Sequence, residues 1–280
     1  KEHLDFYKSM NNLENKFISF IEKTPSFGKA FICVDDKNNR KILKKIKNNN
    51  YYSYGTKKGS NFQILNISKN VKFSKFDLKI ELPGISKKLI KNIKVPIIGM
   101  HNIRNAAASV AVSSSVGISE KIIKRALSEF EGVQRRFTKV FTYNNVSFYD
   151  DYAHHPTEIK EVINGISEVY KKKKIICIFQ PHRISRLRAL RKEFSYAFSK
   201  VNTVVLCPIY KAGENIKLGF KYINFAKEII KNSGVQLFLV DDKFQLAKFI
   251  KANIYGKKIV IGMGAGTISS WMRELPKLLS

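Results

Sequence analysis

The spacing of apolar positions predicts a mixture of helices and short strands in the first half of the chain. From Leu4 to about Lys23, apolar residues recur at helical intervals, which predicts an opening helix. Short apolar runs broken by glycine and asparagine then indicate strands, with one short helix among them. The predicted strands cover 29–34, 62–67, 73–80 and 93–98, of which the second and third lie in a stretch from 51 to 82 that is rich in short β runs. The short helix covers 40–46.

An alanine-rich run of small residues predicts a tightly packed helix over 102–116. Gly117 follows it directly, and a glycine just after the last helical residue is typical of a helix end. Ser119 and the glutamate after it predict the start of a second helix, which we expect to reach Phe130. A polar, glycine-containing break follows at 132–137, and the apolar pattern changes after it.

Strand and helix patterns alternate regularly in the second half of the chain. Asn144 and Asn145 lie between two apolar runs and predict a hairpin over 137–149. The helices predicted after it are 156–170, 185–198, 225–230, 243–250 and 268–279, and the strands are 175–179, 203–206, 235–240 and 258–261. Such alternation predicts a mostly parallel sheet covered on both faces, hence an α/β fold. We place the domain boundary at the break, which gives domains of residues 1–133 and 134–280.

Composition narrows the class of protein. The chain of 280 residues carries 51 Lys and Arg against 22 Asp and Glu, a formal net charge of +29. Nucleic acid is one possible partner for such a charge, but the lysines are scattered and no aromatic RNA-binding signature accompanies them. We therefore favour a solvated basic surface and expect no nucleic-acid partner. A positive field also attracts anionic small substrates such as nucleotides.

Hydropathy and cysteine usage bound the location of the protein. No apolar stretch reaches the roughly 18 residues that a membrane helix needs, so we expect no membrane span. Cys33, Cys177 and Cys207 are far apart, each in an apolar run, and show neither metal-ligand nor disulfide spacing. We expect buried, reduced thiols in a cytoplasmic protein. The start at Lys1 has no initiator Met and no signal-peptide layout, so we expect the chain to be a fragment with an internal cut.

The run from Asp150 to Glu158 is the strongest candidate for chemistry. It holds three carboxylates, a tyrosine phenol and two of the five histidines of the chain within the sequence DDYAHHPTE. The run lies between a predicted strand and a predicted helix, which is where α/β proteins place ligands. Part of it also suits a helix start, with Pro156 at the first helical position and Glu158 in the first turn.

A second cationic segment follows the next predicted strand. The sequence FQPHRISR at 179–186 brings His182, Arg183 and Arg186 to the carboxyl end of strand 175–179. We expect Arg183 and Arg186, three residues apart, to share one face of a helix. Cations at the amino end of a helix are electrostatically unfavourable unless they hold an anion, so this segment predicts an anion-binding rim.

Three weaker motifs leave alternatives open. Asn102 and Asn105 suit contacts to a base or a ribose, although taken alone a helix cap and a surface residue explain them better. The pair Arg135 and Arg136 suits a phosphate or carboxylate, or equally an interdomain salt bridge. The glycines at 262–266 have the wrong spacing for a dinucleotide fingerprint, so we expect a tight turn near a substrate there.

Taken in this order, the motifs resemble the Mur ligases. The segments that carry the resemblance are EHLDFY at 2–7, GMHNIRNAAA at 99–108, GVQRRF at 132–137, DDYAHHPTE at 150–158, FQPHRISR at 179–186, IYKAGE at 209–214 and GAGTI at 264–268. DDYAHHPTE together with QPHRxSR is typical of the L-alanine-adding branch. The resemblance implies part of a central ATPase domain followed by a Rossmann-like C-terminal domain with a mostly parallel sheet.

The resemblance also implies an activity. Family members use ATP and magnesium ions to join an amino acid to a carboxylate through an acyl phosphate. For this branch the substrates implied are L-alanine, ATP and UDP-N-acetylmuramate, in peptidoglycan precursor synthesis. Two other readings stay open: a related amide ligase of the peptide-recycling or folylpolyglutamate type, and a non-catalytic nucleotide-binding or nucleic-acid-binding module.

The family pattern assigns roles to individual residues of this chain. His3 matches a histidine that helps to hold a second magnesium ion. Asn102 and Asn105 match nucleotide contacts near adenine, and Arg136 and Asp151 match contacts to the ATP phosphates and ribose. The positions that match the site for L-alanine and the reacting carboxylate are Tyr152, His154, His182, Arg183 and Arg186, of which the histidines and arginines are the predicted catalytic residues.

One departure from the family pattern concerns the phosphate chemistry. The glycine-rich phosphate-binding loop of the family does not occur in this sequence. Neither do the UDP-binding domain, the catalytic glutamate and the lysine that family members carry upstream. We therefore expect a C-terminal piece of such an enzyme, without ligase activity by itself.

Overall fold

The computed structural model describes residues 4–48, 50–84 and 86–280. The chain divides into two compact units, Lys1–Glu131 and Gly132–Ser280. The division falls at the glycine-containing break, whereas the predicted domains meet after residue 133. Among the helices of the described ranges, none combines the length and the apolar character that a bilayer crossing requires.

The first unit contains a five-stranded sheet in which the strands lie in chain order. The strands are β1 (Ala30–Cys33), β2 (Tyr51–Gly55), β3 (Phe62–Lys69), β4 (Ser74–Ile80) and β5 (Lys88–Val95). β1, β2 and β3 pair in parallel, and β3, β4 and β5 form an antiparallel meander. The last strand begins and ends earlier than the predicted 93–98.

The helices of the first unit are α1 (Leu4–Tyr7), α2 (Met10–Glu22), α3 (Lys37–Leu43), α4 (Met100–Ser115) and α5 (Glu120–Ser128). The prediction of one opening helix was wrong, because Lys8 adopts a left-handed conformation with φ 64° and Ser9 caps a new helix. The short helix starts earlier than predicted because the Asp36 carboxylate accepts from the amides of Asn38 and Asn39.

Small residues let α4 approach the sheet closely. Ala106, Ala107, Val110 and Ala111 are buried against sheet side chains that include Phe76. The predicted end of this helix is confirmed, since Val116 caps it and Gly117 follows with φ 83°.

The second unit contains a six-stranded sheet. Its strands are β6 (Thr138–Tyr143), β7 (Val146–Asp151), β8 (Lys174–Phe179), β9 (Thr203–Leu206), β10 (Gln236–Leu239) and β11 (Lys258–Met263), in the order β10-β9-β8-β11-β7-β6. Only the β6–β7 pair is antiparallel. The predicted α/β fold with a mostly parallel sheet is therefore confirmed, and so is the hairpin, whose turn residues Asn144 and Asn145 have φ 47° and 60°.

Helices complete the second unit. They are α6 (Pro156–Val169), α7 (Ile184–Ala189), α8 (Arg191–Ser195), α9 (Tyr222–Ser233), α10 (Lys243–Asn253) and α11 (Ile268–Leu279). The predicted helix 185–198 was wrong as one element, because the buried Leu190 leaves helical geometry and separates α7 from α8. Helices α10 and α11 bury Ile250, Met272 and Leu275 with the sheet in a common core.

Candidate functional site

The carboxyl ends of four neighbouring strands meet at one edge of the second sheet. Strands β7, β8, β9 and β11 run parallel, so Asp151, Phe179, Leu206 and Met263 end on the same side. The segments that continue from these ends carry most of the predicted site residues. Contacts between these segments define the candidate site.

Segments from two different strands are joined at His182 and Tyr210. Tyr210 donates its backbone N–H to the Pro181 carbonyl, and Arg183 donates to the Tyr210 carbonyl, both at 2.8 Å. The rings of His182 and Tyr210 stack with centroids 5.6 Å apart and planes inclined by 17°. The loop after β9 therefore supports the backbone on which the predicted residues His182 and Arg183 lie.

His154 and His182 come together from different strands. Their ring centroids are 5.6 Å apart, and the Tyr152 ring meets His154 edge-on at 4.9 Å. The Nδ1 atom of His154 lies 2.8 Å from the Tyr152 carbonyl. Because a carbonyl only accepts, Nδ1 is the donor, and the neutral ring keeps Nε2 as an acceptor.

The rest of the DDYAHHPTE run forms the start of α6. His155 caps the helix by accepting from the Thr157 amide at 3.2 Å, and Pro156 occupies the first helical position. Glu158 accepts from the backbone amides of His154 and His155 at 3.0 and 3.2 Å and so completes a capping box. The predicted helix start is confirmed, and His155 and Glu158 are used in it.

His182 is neutral at pH 7. Burial lowers the pKa of His182 to about 4, and the charges of Arg186 and Arg183 lower it further. Arg186 Nη1 lies 3.0 Å from His182 Nδ1, and it also donates to the His182 carbonyl at 3.3 Å. Since a guanidinium only donates, Nδ1 accepts, and the ring hydrogen of His182 lies on Nε2.

The predicted common helix face of Arg183 and Arg186 was wrong. Arg186 lies within α7, but Arg183 precedes the helix with φ 68° and ψ 132°. The amide of Arg183 is already bonded to the Tyr210 carbonyl, which prolongs the pairing between strands instead of starting the helix. The left-handed backbone at Arg183 is strained for a residue other than glycine, and such strain persists only where neighbouring contacts hold it.

Asp151 is buried, with both carboxylate oxygens engaged by the backbone. Oδ1 accepts from the Ala153 amide and Oδ2 from the Phe137 amide, each at 2.8 Å. Burial raises the pKa of Asp151 to about 6, although both hydrogen bonds and the charge of Arg136 oppose the rise. Asp151 thus fixes the segment before β6 against the end of β7. Its contact with a nucleotide stays a prediction.

The two neighbouring arginines of the GVQRRF motif differ in environment. Arg135 donates from Nη2 to the Gly264 carbonyl at 2.6 Å, lies over the Tyr152 ring at 4.7 Å, and places Nε 3.8 Å from Asp150 Oδ2. Arg136, the predicted phosphate contact, is exposed. Asp150 is buried and accepts from Ser269 Oγ at 2.5 Å. The sequence motif did not distinguish the internal arginine from the outward one.

The glycines after β11 allow close packing at the site edge. A Cβ on Gly264 would lie 2.7 Å from the Gln180 carbonyl oxygen, and one on Gly266 would lie 2.5 Å from Gln180 Oε1 and 2.6 Å from Tyr210 Cβ. Gln180 Oε1 also accepts from the Ile268 amide at 3.0 Å. This is a tight strand-to-helix turn, as predicted.

Glu214 was missed by the sequence reasoning, although it ends the quoted segment IYKAGE. Its carboxylate accepts from the Ser185 amide at 3.0 Å and from the Ser185 hydroxyl. Burial acts to raise the pKa of Glu214, but hydrogen bonds from Ser185 and Ile184 and the charge of Arg183 outweigh it and lower the pKa. The signal available in the sequence was that the segment IYKAGE ends in an acidic residue, whereas the other cited segment near it in the fold, FQPHRISR, is cationic.

The predicted adenine contacts lie in the first unit, at the start of α4. Asn102 is buried and donates from Nδ2 to the Ile98 carbonyl at 2.7 Å, whereas Asn105 is exposed. The alternative of Asn102 as the helix cap was wrong, because Gly99, with φ 103°, occupies that position. The donated bond fixes the amide so that Oδ1 is its acceptor side.

Asp35 is a second residue that the sequence reasoning missed. It accepts from Arg104 Nε at 2.9 Å and from the Thr56 amide and hydroxyl at 2.8 and 3.0 Å. Burial acts to raise the pKa of Asp35, but the bonds from Arg104 and Thr56 prevail and lower it. A Cβ on Gly55 would lie 2.5 Å from this carboxylate. The contact ties the amino-terminal half of α4 to the segments that follow β1 and β2.

Magnesium ligands are not identified by the structure. His3, the predicted ligand, lies outside the described residues. Within the described ranges, no group of three or more His, Cys, Asp or Glu side chains is arranged to hold a metal ion. The three cysteines, all in described parts of the chain, are free thiols.

Two family models match the chain in succession. The model of the Mur ligase middle domain matches residues 1–113. The model of the Mur ligase glutamate ligase domain matches residues 135–266.

Curated relatives match over the whole chain. The UDP-N-acetylmuramate–L-alanine ligase of Pelagibacter ubique is 62% identical over 279 residues, which cover 100% of this chain and 60% of that protein. Proteins of the same name from Rickettsia canadensis and Bartonella tribocorum are 39% and 34% identical over 99% and 100% of this chain, and 59% of each relative is covered. The chain thus spans about three-fifths of the length of these relatives.

Solved structures share the fold. UDP-N-acetylmuramate-alanine ligase of Thermotoga maritima superposes with TM-score 0.74 at 24% identity, covering 99% of this chain and 56% of that one. A murein peptide ligase of Psychrobacter arcticus has TM-score 0.68 at 18% identity, covering 95% and 54%. The MurF ligase of Thermotoga maritima in complex with ADP has TM-score 0.69 at 16% identity, covering 99% and 59%.

Proposed function

Since this chain belongs to the Mur ligase family, we propose that its gene product is an ATP-dependent ligase that joins L-alanine to UDP-N-acetylmuramate. The reaction belongs to peptidoglycan precursor synthesis. The observation that carries the proposal is the cluster of Tyr152, His154, His182 and Arg186 at the carboxyl edge of the second sheet. Identity of 62% to a relative of that name supports the choice of amino acid.

The chemistry expected of the site is the attack of an amine on an acyl phosphate. The muramyl carboxylate takes the γ-phosphoryl group and ADP leaves. A C–N bond to alanine then forms, the C–O bond to phosphate breaks, and the amine loses a proton. Arg183 and Arg186 suit the carboxylate that free alanine brings, because a guanidinium binds a carboxylate through paired hydrogen bonds.

The two histidines suit different tasks in that step. His154 keeps Nε2 as an acceptor in its neutral form, so it can take the proton that the amine loses. His182 is neutral with its hydrogen on Nε2, so it can donate a hydrogen bond to an oxygen that gains negative charge. Opposite tautomers in adjacent rings separate the acceptor from the donor.

Nucleotide and metal contacts are part of the same proposal. Asn102 suits an exocyclic amine of adenine through Oδ1, since its Nδ2 already donates to the Ile98 carbonyl. Asn105 and Arg136 are each exposed, so either side chain is open to a ligand. Magnesium ions neutralise charge on phosphate oxygens in such reactions, and His3 is the residue that the resemblance offers to them.

Location and partners follow from the same proposal. A cytoplasmic location is supported by the free thiols of Cys33, Cys177 and Cys207. We propose no nucleic-acid or membrane partner, since the attraction of small anionic substrates is a sufficient role for the positive charge of the chain.

The test is a phosphate-release assay on the complete gene product that carries this chain. With ATP, magnesium, UDP-N-acetylmuramate and L-alanine, we expect phosphate release that requires all components, and a product heavier by one alanine residue. Arg186→Met is expected to lower kcat/KM for alanine by roughly 100-fold, while the exposed Arg188→Met leaves it unchanged. Turnover with a peptide in place of alanine would indicate the peptide-recycling activity instead.

A further inference from the structure

Three kinds of contact join the loop after β9 to the start of α7. Backbone bonds join Tyr210 to Pro181 and Arg183, and the Tyr210 ring stacks on His182. Beyond these, the Glu214 carboxylate takes both the amide and the hydroxyl of Ser185. The loop thus holds the whole segment that carries the candidate anion-binding side chains.

Glu214 is the anion that faces this cationic segment. The positive charge that acts on it is that of Arg183, and the amides of Ile184 and Ser185 and the Ser185 hydroxyl donate to its carboxylate. Two positive arginines close to a helix amino end repel its partial positive charge. The lowered pKa of Glu214 is consistent with a carboxylate held by these donors.

The position of Arg186 depends on the first turn of α7. Arg186 is one residue beyond Ser185, and its guanidinium lies 3.0 Å from His182 Nδ1. Arg183, on the other side of Ser185, is kept at φ 68°. The bonds from Ser185 to Glu214 are among the contacts that hold this strained backbone, so we expect the arginines to change direction when those bonds are lost.

We infer that Glu214 is a positioning residue of the amino-acid subsite. Through Ser185 it fixes the start of α7, so that Arg186 and His182 are already paired and oriented before a carboxylate binds. It acts through other residues and needs no contact with substrate. The inference rests on the proposed function, because it assigns the subsite to the amino acid.

The kinetic test uses the complete gene product with Glu214→Ala, Glu214→Gln and Ser185→Ala. We expect Glu214→Ala to raise KM for L-alanine about tenfold or more, with much smaller changes in KM for ATP and in kcat. Glu214→Gln keeps an acceptor for the Ser185 amide, so it should recover part of the loss. Ser185→Ala removes only the hydroxyl and should have an intermediate effect.

Two results would contradict the inference. A fall in kcat together with a similar rise in KM for both alanine and ATP would mean a general structural role, and an unchanged KM for alanine in Glu214→Ala would overturn the inference. If Glu214→Ala does not fold, KM for L-alanine in Glu214→Gln and Ser185→Ala decides the same question. A value above that of the wild type supports the inference, and an unchanged value in both variants overturns it.

Hydrogen exchange separates this inference from the proposed function. The Ser185 amide is protected by Glu214 in the unliganded protein, so Glu214→Ala should speed exchange in a peptide spanning 182–190 but not in one spanning 268–279. Unchanged exchange contradicts the inference whatever the enzyme does. Faster exchange in a protein without alanine-dependent turnover would mean that the support exists and that the proposed substrate is wrong.

Discussion

At the residue scale, neighbouring side chains of the same type differ in protonation site or in exposure within the candidate site. The ring centroids of His182 and His154 are 5.6 Å apart, yet the hydrogen of the neutral ring lies on Nε2 in His182 and on Nδ1 in His154. Arg135 and Arg136 are consecutive, yet one is bonded inside the second unit and the other is exposed. Chemical type alone therefore does not give a residue its role here.

Removal of the Arg186 charge should raise the pKa of His182. A positive neighbour disfavours protonation, so Arg186→Gln is expected to move the His182 pKa upward from about 4, while burial keeps it below 6.5. The readout is an NMR titration of the imidazole. Arg188→Gln makes the same charge change on an exposed side of α7 and should leave the titration unchanged.

The same pKa has a consequence for stability. The pKa of His182 in the folded protein lies below its value in the unfolded chain. The contribution of His182 to the free energy of unfolding is therefore present above about pH 6.5 and is lost as the pH falls toward 4. His182→Gln should therefore flatten that part of the profile of unfolding free energy against pH. An unaltered slope between these pH values would contradict the pKa.

The two consecutive arginines should differ in their effect on stability. Arg135→Met removes a donor from the Gly264 carbonyl and a cation from beside the buried Asp150, so we expect a loss of about 1–3 kcal/mol. Arg136→Met changes an exposed side chain and should cost less than about 0.5 kcal/mol. Urea unfolding measures both, and equal losses would show that Arg135 is not an internal anchor.

At the element scale, sequence patterns located what depends on local rules. The hairpin followed from Asn144-Asn145, and α11 was predicted with the bounds observed, Ile268–Leu279. The break at Leu190 was not predictable, because the apolar spacing around it is helical and its non-helical backbone comes with burial in the folded unit. Asp35 and Glu214 escaped for the same reason: their partners Arg104 and Ser185 are 69 and 29 residues away in the chain. Local periodicity contains no information on such pairs.

The β6–β7 turn offers a test of a local rule. Asn145 has φ 60°, a conformation in which glycine is unstrained and alanine is not. Asn145→Ala should reduce the free energy of unfolding by about 1 kcal/mol, and Asn145→Gly should not reduce it. A pair of urea titrations gives the comparison. Equal destabilisation by both variants would mean that the asparagine side chain, not the backbone, holds the turn.

At the scale of the whole molecule, the net charge of +29 opposes the compact state. The positive groups exceed the negative ones more than twofold, and many of the lysines are exposed. Repulsion among exposed charges falls when salt shortens the Debye length, which is about 10 Å at 0.1 M. Low salt should therefore be a destabilising condition for this protein.

The expected result is a Tm that rises with NaCl between roughly 0.02 and 0.3 M, over which screening grows steeply. The double variant Lys171→Glu, Lys172→Glu changes two exposed lysines in a basic loop and lowers the net charge, so its Tm should depend less on salt. Sucrose, which stabilises by exclusion and not by screening, should act equally on both proteins. If the variant keeps the full salt dependence, the rise comes from a specific ion effect, and self-repulsion is not what limits stability.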